Sequence, residues 1–278
     1  MIVSDMKAFR YDGKRALVVG GATGMGAAAA QTVGSLGAEV IVMDNAPIEY
    51  EVAQAIKVDL RDLSSINDVL GQIDGPVHAV FAAAGVADGI PGIMKINFIS
   101  HRHIIETLVD DGRLGRGGAV CAISSVAGIG WQSNIPLLTE FLSNPDFTSA
   151  AEWVDAHEGR DSYMFSKQVL GCYIARQAYP LAAKGIRING ILPGPTDTPL
   201  ARANADTWLT FAQDYRDATG LPQLVPSQMG DTMAFLNSDS ASGISGVTLL
   251  VDGGYVMSSI AGTFESGTPV VQFLLEIG

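Results

Sequence analysis

The sequence predicts an α/β protein: a doubly wound parallel sheet of seven strands with helices on both faces. Short apolar runs, several ending in glycine, alternate with segments of helical pattern, as β-α-β units require. A glycine-rich turn at residues 20–26 directly follows the first run, which is typical of a strand, turn and helix that bind a dinucleotide phosphate. The 278 residues can make one large domain or two small ones, and we predict a single domain over 1–278.

The composition narrows the possible functions. A net charge of −12 with no run of Lys or Arg argues against a nucleic acid or an anionic membrane surface as partner. No basic segment precedes an apolar core at the N-terminus and no run of 18 apolar residues occurs, so we expect a soluble cytoplasmic protein. Cys121 and Cys172 are expected to be buried free thiols. The four histidines and two cysteines show no ligand spacing, and no metal is predicted.

The turn after the first strand has the spacing G-x-x-x-G-x-G. Glycines let the backbone approach a pyrophosphate closely, and the N-terminus of the following helix offers unpaired N–H groups to its charge. An ordinary glycine-rich turn between a strand and a helix is the alternative. The turn residues expected to contact a cofactor are Gly20, Thr23, Gly24, Met25 and Gly26.

Acidic residues end the second and third predicted strands. Asp44 stands about 20 residues after the turn, where a carboxylate can accept hydrogen bonds from both ribose hydroxyls of adenosine. Because it would repel a 2′-phosphate and no Lys or Arg follows it directly, we predict NAD(H) rather than NADP(H). A helix cap is the alternative role for Asp44. The third strand ends in Asp59 and Leu60, and Asp59 can reach the adenine amino group.

The fourth and fifth strands bring small and hydroxyl side chains to the same edge of the sheet. Residues 77–85 end in Ala84 and Gly85, which would let a cofactor lie flat across that edge. Residues 118–125 end in two serines, of which Ser125 is the second. We expect a ligand there, because open parallel sheets bind ligands at the carboxyl ends of their strands.

Tyr163 and Lys167 stand four residues apart, so a helix would place them on one face, one turn apart. A phenol has a free pKa of about 10, and a nearby cation would bring that pKa toward the working range. A surface pair on an amphipathic helix is the alternative. A second helical pattern, over residues 91–109, contains Asn97, whose side chain would bind a water or face solvent.

A long stretch at about residues 127–160 is too apolar for a linker and too long for a plain loop. It holds Trp131 and Trp153. We predict two short helices in it, near 137–142 and 149–157, packed beside the site or against a second subunit.

Two further segments lie near the C-terminus. Residues 199–226 carry Trp208 and Phe211 and suit a mobile apolar lid over a substrate. The tail at about 256–278 is apolar, and we expect it to be buried across a subunit contact.

Together these motifs resemble the classical short-chain dehydrogenase/reductase family, with a match spread over residues 14–254. The resemblance implies a Rossmann-type sheet in the strand order 3-2-1-4-5-6-7. It implies that Ser125 polarises the substrate oxygen and that Tyr163 is the acid/base. Lys167 would lower the pKa of that tyrosine and hold the nicotinamide ribose, and Asn97 would anchor a water. Further implied cofactor contacts are the backbone near Ile191 and the residues Pro193, Gly194, Thr196 and Thr198.

The sequence departs from this family in three places. The usual Asn-Asn-Ala-Gly is Ala-Ala-Ala-Gly at residues 82–85, so the asparagine contacts are lost. The segment between 85 and 97 is shorter than usual, and the gap from Ser125 to Tyr163 is much longer. This combination is similar to bacterial 3α-hydroxysteroid dehydrogenase/carbonyl reductases. The long gap lies next to the helices by which family members usually pair, so we expect a homodimer or homotetramer of altered geometry.

The functional hypothesis is NAD(H)-dependent interconversion of a secondary alcohol and a ketone. An apolar cyclic substrate, steroid- or terpenoid-like, is suggested by the aromatic residues Trp131, Trp153, Trp208 and Phe211, although these can equally pack the two long segments. A broad carbonyl reductase of small or aryl ketones is one alternative. A sugar-nucleotide epimerase shares Y-x-x-x-K but usually has a longer C-terminal domain. An NAD-binding regulator without turnover is the alternative from another class.

Overall fold

The computed structural model describes residues 6–276 and is built on seven parallel strands in the order β3-β2-β1-β4-β5-β6-β7. The fold class and the strand order confirm the prediction. The strands are β1 (Arg15–Val19), β2 (Glu39–Asp44), β3 (Gln54–Lys57), β4 (Ala79–Ala82), β5 (Ala119–Ile123), β6 (Arg187–Pro193) and β7 (Thr248–Val251).

Helices cover both faces of the sheet. The helices of the first half are α1 (Gly24–Ser35), α2 (Leu63–Leu70), α3 (Ser100–Asp110), α4 (Ile135–Leu142) and α5 (Phe147–Ala156). The helices of the second half are α6 (Tyr163–Lys184), α7 (Pro199–Arg202), α8 (Ala205–Trp208), α9 (Gln213–Thr219), α10 (Pro226–Asn237), α11 (Tyr255–Ile260) and α12 (Thr268–Glu276). A π-helical turn, Lys95–Ile99, leads into α3.

Each inner strand is buried on both faces, which explains its continuous apolar sequence. In β1, Leu17 and Val19 belong to the core cluster shared with α2, α3 and α6. Ala16 and Val18 belong to the cluster shared with α1 and α10. The two layers of side chains pack the sheet between the helices and leave its carboxyl edge to carry the polar residues.

Two helical segments have features that the sequence pattern does not show. α10 begins at Pro226, and a proline suits this first helical position, where a missing N–H costs nothing. The side chain of Gln228 then accepts a hydrogen bond from Val225 N–H at 2.9 Å. The helical pattern over 91–109 is present, but it contains the π-helical turn, and Asn97 lies within that turn.

The long stretch between β5 and α6 contains the two predicted helices, α4 and α5, each beginning two residues earlier than expected. Both pack against the main core cluster, through Leu138 and Phe141 of α4 and Val154 of α5. Trp153 contacts the rings of Phe141 and Phe165, at centroid distances of 5.2 and 6.0 Å. The segment is therefore an extra helical layer over α6.

The tail folds back onto the chain itself. Val271 and Leu274 of α12 are buried in a third apolar cluster, together with Tyr255 and Val256 of α11. The expected burial across a subunit contact is thus replaced, on this face, by burial within the chain. Phe273 on the other face of α12 is 59% exposed.

Residues 1–5 and 277–278 lie outside the described part of the chain, and so do the expectations that rest on them. Within residues 6–276, no helix combines the length and the apolar character needed to cross a membrane. Cys121 and Cys172 are buried free thiols, as predicted.

Ala212, which precedes α9, has a φ of 56° and so lies in the left-handed region. This conformation costs an L-residue about 1–2 kcal/mol. We expect Ala212→Gly to raise the free energy of unfolding by about 0.5–1 kcal/mol, a gain reduced by the greater freedom of glycine in the unfolded chain. Urea unfolding measures the change. Ala218→Gly, at an exposed position within α9, is the matched control and should destabilise the protein; a loss of stability in both variants would contradict the strain at Ala212.

Candidate active site

The glycine turn connects β1 to α1 and presents the first turn of that helix at the carboxyl edge of the sheet. α1 begins at Gly24, and its N-cap Thr23 makes no side-chain capping hydrogen bond. The N–H groups of the first turn therefore lack that partner and can receive an anion. Gly26 packs so closely against the carbonyl of Gly20 that a Cβ would not fit. These features suit a dinucleotide phosphate.

A cavity of about 370 Å³ runs from this turn along the ends of β2, β3 and β4. The carboxylate of Asp44 lines it and accepts hydrogen bonds from Ala22 N–H at 2.8 Å and Ala46 N–H at 2.9 Å. A carboxylate has about four acceptor sites, so capacity remains for ribose hydroxyls. The predicted cofactor residues that line this cavity are Gly20, Thr23, Gly24, Met25, Gly26, Asp44, Asp59, Leu60, Ala84, Gly85 and Thr198.

Asp59 differs from the expectation that its carboxylate is free for an adenine amino group. Arg61 donates to it from the backbone N–H at 2.9 Å and from the guanidinium at 2.7 and 3.0 Å. These hydrogen bonds hold the pKa of Asp59 below its usual value. Any contact with adenine would therefore share this carboxylate with Arg61.

Tyr163 and Lys167 lie on the first turns of α6, against the end of β5. Lys167 Nζ is 5.4 Å from the centroid of the Tyr163 ring and donates to the carbonyl of Ile123 at 3.0 Å. Ser124 Oγ donates to the carbonyl of Lys167 at 2.9 Å, which fixes α6 to the strand. Ser125, the next residue, lines the same cavity as Tyr163 and Lys167. The structure thus brings the three predicted side chains together.

The protonation of this group differs from the expectation. Burial raises the pKa of Tyr163, a hydrogen bond with Ser125 opposes the rise, and the charge of Asp88 adds to it. Burial lowers the pKa of Lys167 to about 8. The net shift of the tyrosine pKa is therefore upward, against the lowering expected from Lys167, whose buried ammonium is itself disfavoured and donates to the Ile123 carbonyl. Tyr163 is therefore a protonated phenol at neutral pH.

Asn97 of the π-helical turn and His101 of α3 hold the segment 84–86, which follows β4 and lines the cofactor cavity. Asn97 accepts from Val86 N–H at 2.8 Å and donates to Val86 O at 3.1 Å and to Ser166 Oγ at 3.2 Å. One turn later, His101 Nε2 lies 2.9 Å from the carbonyl of Ala84. Both donor positions of the Asn97 amide are occupied, so the expected water would need its backbone or the remaining acceptor site instead.

His101 is 2% exposed, and burial lowers its pKa to about 4, so the ring is neutral. Since a carbonyl only accepts, Nε2 carries the proton. We expect His101→Leu to lower the free energy of unfolding by about 1–3 kcal/mol, because the Ala84 carbonyl loses its donor. His101→Gln should recover most of the loss, since its amide nitrogen can occupy the place of Nε2. Urea unfolding measures both.

The control for this pair is His103→Leu on the same helix, where the ring contacts Asn67 at 2.8 Å and not the segment 84–86. Equal stability of His101→Leu and His101→Gln would contradict the proposed hydrogen bond.

A second cavity of about 280 Å³ lies over Tyr163. Trp208 and Phe211 line it, and the Trp208 ring lies 5.0 Å from the Tyr163 ring, centroid to centroid. Trp131, predicted as a substrate contact, does not line this cavity, because its indole packs against Gly171 in the middle of α6. The predicted residues that line it at the end of β6 and just after it are Pro193, Gly194, Thr196 and Thr198.

Asp88 and Leu274 are among the site residues that the sequence analysis missed. Asp88 accepts from the Tyr163 N–H at 2.6 Å and so caps the start of α6. Leu274 of α12 lines the cavity over Tyr163. Neither residue belongs to a local sequence motif. Asp88 is recognised only through a contact with a residue 75 positions away, and Leu274 only because the C-terminal helix packs back against the site. Among residues 6–276, no cluster of three or more His, Cys, Asp or Glu side chains could hold a metal ion.

The parallel sheet, with an uncapped helix start at its carboxyl edge, defines a Rossmann-type dinucleotide-binding protein. The family model described as short chain dehydrogenase matches residues 14–136, and that described as Enoyl-(Acyl carrier protein) reductase matches residues 147–256. The chain belongs to the short-chain dehydrogenase/reductase family, and is therefore an oxidoreductase of a family that binds nicotinamide cofactors.

Relatives with assigned activities are similar to it at low identity. A cis-4-hydroxycyclohexanecarboxylate dehydrogenase of Sinomonas cyclohexanicum is 28% identical, with 86% of this chain and 95% of the relative covered. A 3-alpha-hydroxysteroid dehydrogenase/carbonyl reductase of Comamonas testosteroni is 25% identical over the same shares. Among solved structures, the 3-alpha-hydroxysteroid dehydrogenase of Pseudomonas sp. B-0831 complexed with NADH superposes with a TM-score of 0.70 at 22% identity, covering 90% of this chain and 99% of that one.

Proposed function

We propose that the protein interconverts a secondary alcohol and a ketone with NAD(H), and that Tyr163 is the proton donor and acceptor. The observation that carries the proposal is the meeting of Tyr163, Ser125 and Lys167 in one mostly apolar cavity. Gly85 lines both this cavity and the one at the glycine turn. The names of two relatives, a hydroxycyclohexanecarboxylate and a hydroxysteroid dehydrogenase, support a cyclic alcohol as substrate.

The roles follow from the protonation of the group. In ketone reduction, Tyr163 would give its phenolic proton to the substrate oxygen while Ser125 Oγ donates a hydrogen bond to that oxygen. A bound nicotinamide supplies the hydride in this direction and accepts it in the reverse. Lys167 would stabilise the phenolate that remains. Asn97 would act as a positioning residue, through its hold on Val86.

The phosphates would lie at the start of α1, and Asp44 would receive the adenosine ribose. The carboxylate lines that cavity and is held there by Ala22 and Ala46. A 2′-phosphate would meet this negative charge at short range, which disfavours NADP(H). NAD(H) is therefore the proposed cofactor.

The lining of the cavity over Tyr163 supports an uncharged, apolar substrate. Val126, Leu200, Trp208, Phe211 and Leu274 form much of its wall. Lys167 is the one charged side chain among its described lining residues, and it is 3% exposed and directed at a backbone carbonyl. A carboxylate on the substrate would therefore find no free cation there. The volume of about 280 Å³ would be shared between the substrate and the nicotinamide, because predicted cofactor contacts line the same cavity.

The loss of NADH absorbance with a panel of ketones tests the proposal. The panel contains a monocyclic, a bicyclic, a steroid and an aryl ketone, and 4-oxocyclohexanecarboxylate as the charged counterpart of the first. We expect turnover of uncharged cyclic ketones, with NADH preferred to NADPH. Binding of NADH without oxidation by any ketone would contradict the proposal and favour a regulator without turnover.

The raised pKa of Tyr163 predicts opposite pH dependences for the two directions. Reduction needs the phenol and oxidation needs the phenolate, so a higher pKa leaves the acid form dominant at neutral pH. We expect kcat/KM for alcohol oxidation to rise with pH from 6 through 9, while kcat/KM for ketone reduction stays level or falls. Initial rates in both directions across this range measure it. An oxidation rate already level below pH 7 would show that the free protein does not hold Tyr163 as a phenol.

A further inference from the structure

One wall of the cavity over Tyr163 comes from the far end of the chain. Leu274 of α12 lines this cavity together with residues that follow β5 and β6. Its side chain is 7% exposed and packs in an apolar cluster with Val126, Ile129 and Tyr255. A residue more than a hundred positions from Tyr163 thus borders the space in which a substrate would lie.

α12 is held in place at both ends by the body of the chain. The carbonyl of Leu274 packs against Gly130 so closely that any Cβ there would collide with it. Ser133 Oγ donates to the carbonyl of Leu275 at 2.8 Å. At the other end of the helix, Thr268 Oγ1 donates to the carbonyl of Ser259 at 3.0 Å. These contacts fix the direction in which Leu274 points.

The same cluster connects α12 to the segment that carries Phe211. The ring of Phe211 lies 5.2 Å from that of Tyr255, centroid to centroid, and Tyr215 lies 5.0 Å from Phe264, ahead of α12. Phe211 and Leu274 both line the cavity. α12 and the segment that carries Phe211 therefore cover the site as one apolar cluster. This cluster is separate from the two clusters that flank the sheet.

We infer that α12 is a wall of the substrate site and that Leu274 is a specificity-determining residue, which limits the size of the ring system that fits beside Tyr163. This inference rests on the proposed oxidoreductase function. In an apolar pocket, one methylene more or less changes kcat/KM by about 10- to 200-fold. Shortening Leu274 would admit a larger ring, and enlarging it would exclude one.

The experiment compares a bicyclic with a monocyclic ketone. We expect Leu274→Ala to raise the ratio of their kcat/KM values by about tenfold or more, and Leu274→Phe to lower it by a similar factor. Ser133→Ala, which loosens the anchor without touching the cavity, should shift the ratio in the direction of Leu274→Ala but less. The affinity for NADH, measured by fluorescence, should stay within about twofold in all variants, since Leu274 does not line the cavity at the glycine turn.

The matched control is Phe273→Ala, the neighbouring residue on the exposed face of α12, which should leave the ratio unchanged. Leu274→Met keeps the side-chain volume similar and should keep the ratio near that of the wild type. Thermal unfolding of each variant shows whether a loss of activity comes from a loss of folding. Unchanged ratios in folded Leu274→Ala and Leu274→Phe would overturn the inference. Absence of ketone turnover in the wild type would instead overturn the proposed function; calorimetric binding of the two ketones to wild type and variants then decides the role of Leu274 separately.

Discussion

Tyr163→Phe is expected to lower kcat/KM for ketone reduction by about 10²- to 10⁴-fold, the usual contribution of a positioned general acid. The phenol is the one tyrosine hydroxyl among the described residues that line the cavity with Ser125, and it is protonated at neutral pH because burial and Asp88 raise its pKa. Removal of its oxygen leaves the substrate oxygen with a hydrogen bond from Ser125 but no proton donor. Steady-state rates with the best ketone of the panel measure the effect.

The matched control is Tyr179→Phe, on the same helix but 85% exposed, which should behave as the wild type. Affinity for NADH should change little in Tyr163→Phe, because the ring and its contact with Trp208 are retained. A Tyr163→Phe enzyme within a few-fold of wild type would remove this tyrosine from the proposed role.

Asp44→Asn should raise the preference for NADPH over NADH by about 10- to 100-fold, which corresponds to about 1.4–2.8 kcal/mol. The amide oxygen can still accept from Ala22 N–H, while the amide nitrogen gives up the hydrogen bond from Ala46 N–H, and the negative charge that a 2′-phosphate would meet is gone. The ratio of kcat/KM values for the two reduced cofactors, with one ketone, measures the change.

Asp68→Asn, an exposed carboxylate on α2, changes the net charge equally and should leave the ratio as it is. If both variants shifted the ratio alike, the discrimination would come from the overall charge of the protein. If Asp44→Asn left the ratio unchanged, cofactor choice would rest on other residues of the cavity, of which Arg61 is the one cation among the described lining residues.

The sheet and its cofactor edge could be predicted from sequence because both depend on local patterns. Inner parallel strands are buried on both faces, so each appears as an uninterrupted apolar run, and the strand order follows from the family resemblance. The spacing of Tyr163 and Lys167 fixes their common face once α6 exists. The glycines of the turn are required by contacts within a few residues, such as that of Gly26 with Gly20.

The rest depends on where distant segments meet, which no local pattern encodes. Trp131 and Trp208 are both aromatic residues in long connections between strands, yet one packs against Gly171 of α6 and the other lies over Tyr163. The apolar tail has the composition of a subunit interface, yet one face of α12 is buried against other residues of the same chain. The pKa of Tyr163 was expected to fall because the sequence spacing shows that Lys167 is near. The spacing does not show that the Lys167 ammonium donates to the carbonyl of Ile123.

The hold of α12 on Gly130 and Ser133 has a consequence for the order in which a nascent chain matures. Domains form as they leave the ribosome, N-terminal parts first. The glycine turn and Tyr163 are synthesised well before Leu274, so the cavity over Tyr163 gains its last wall only after α12 has left the ribosome.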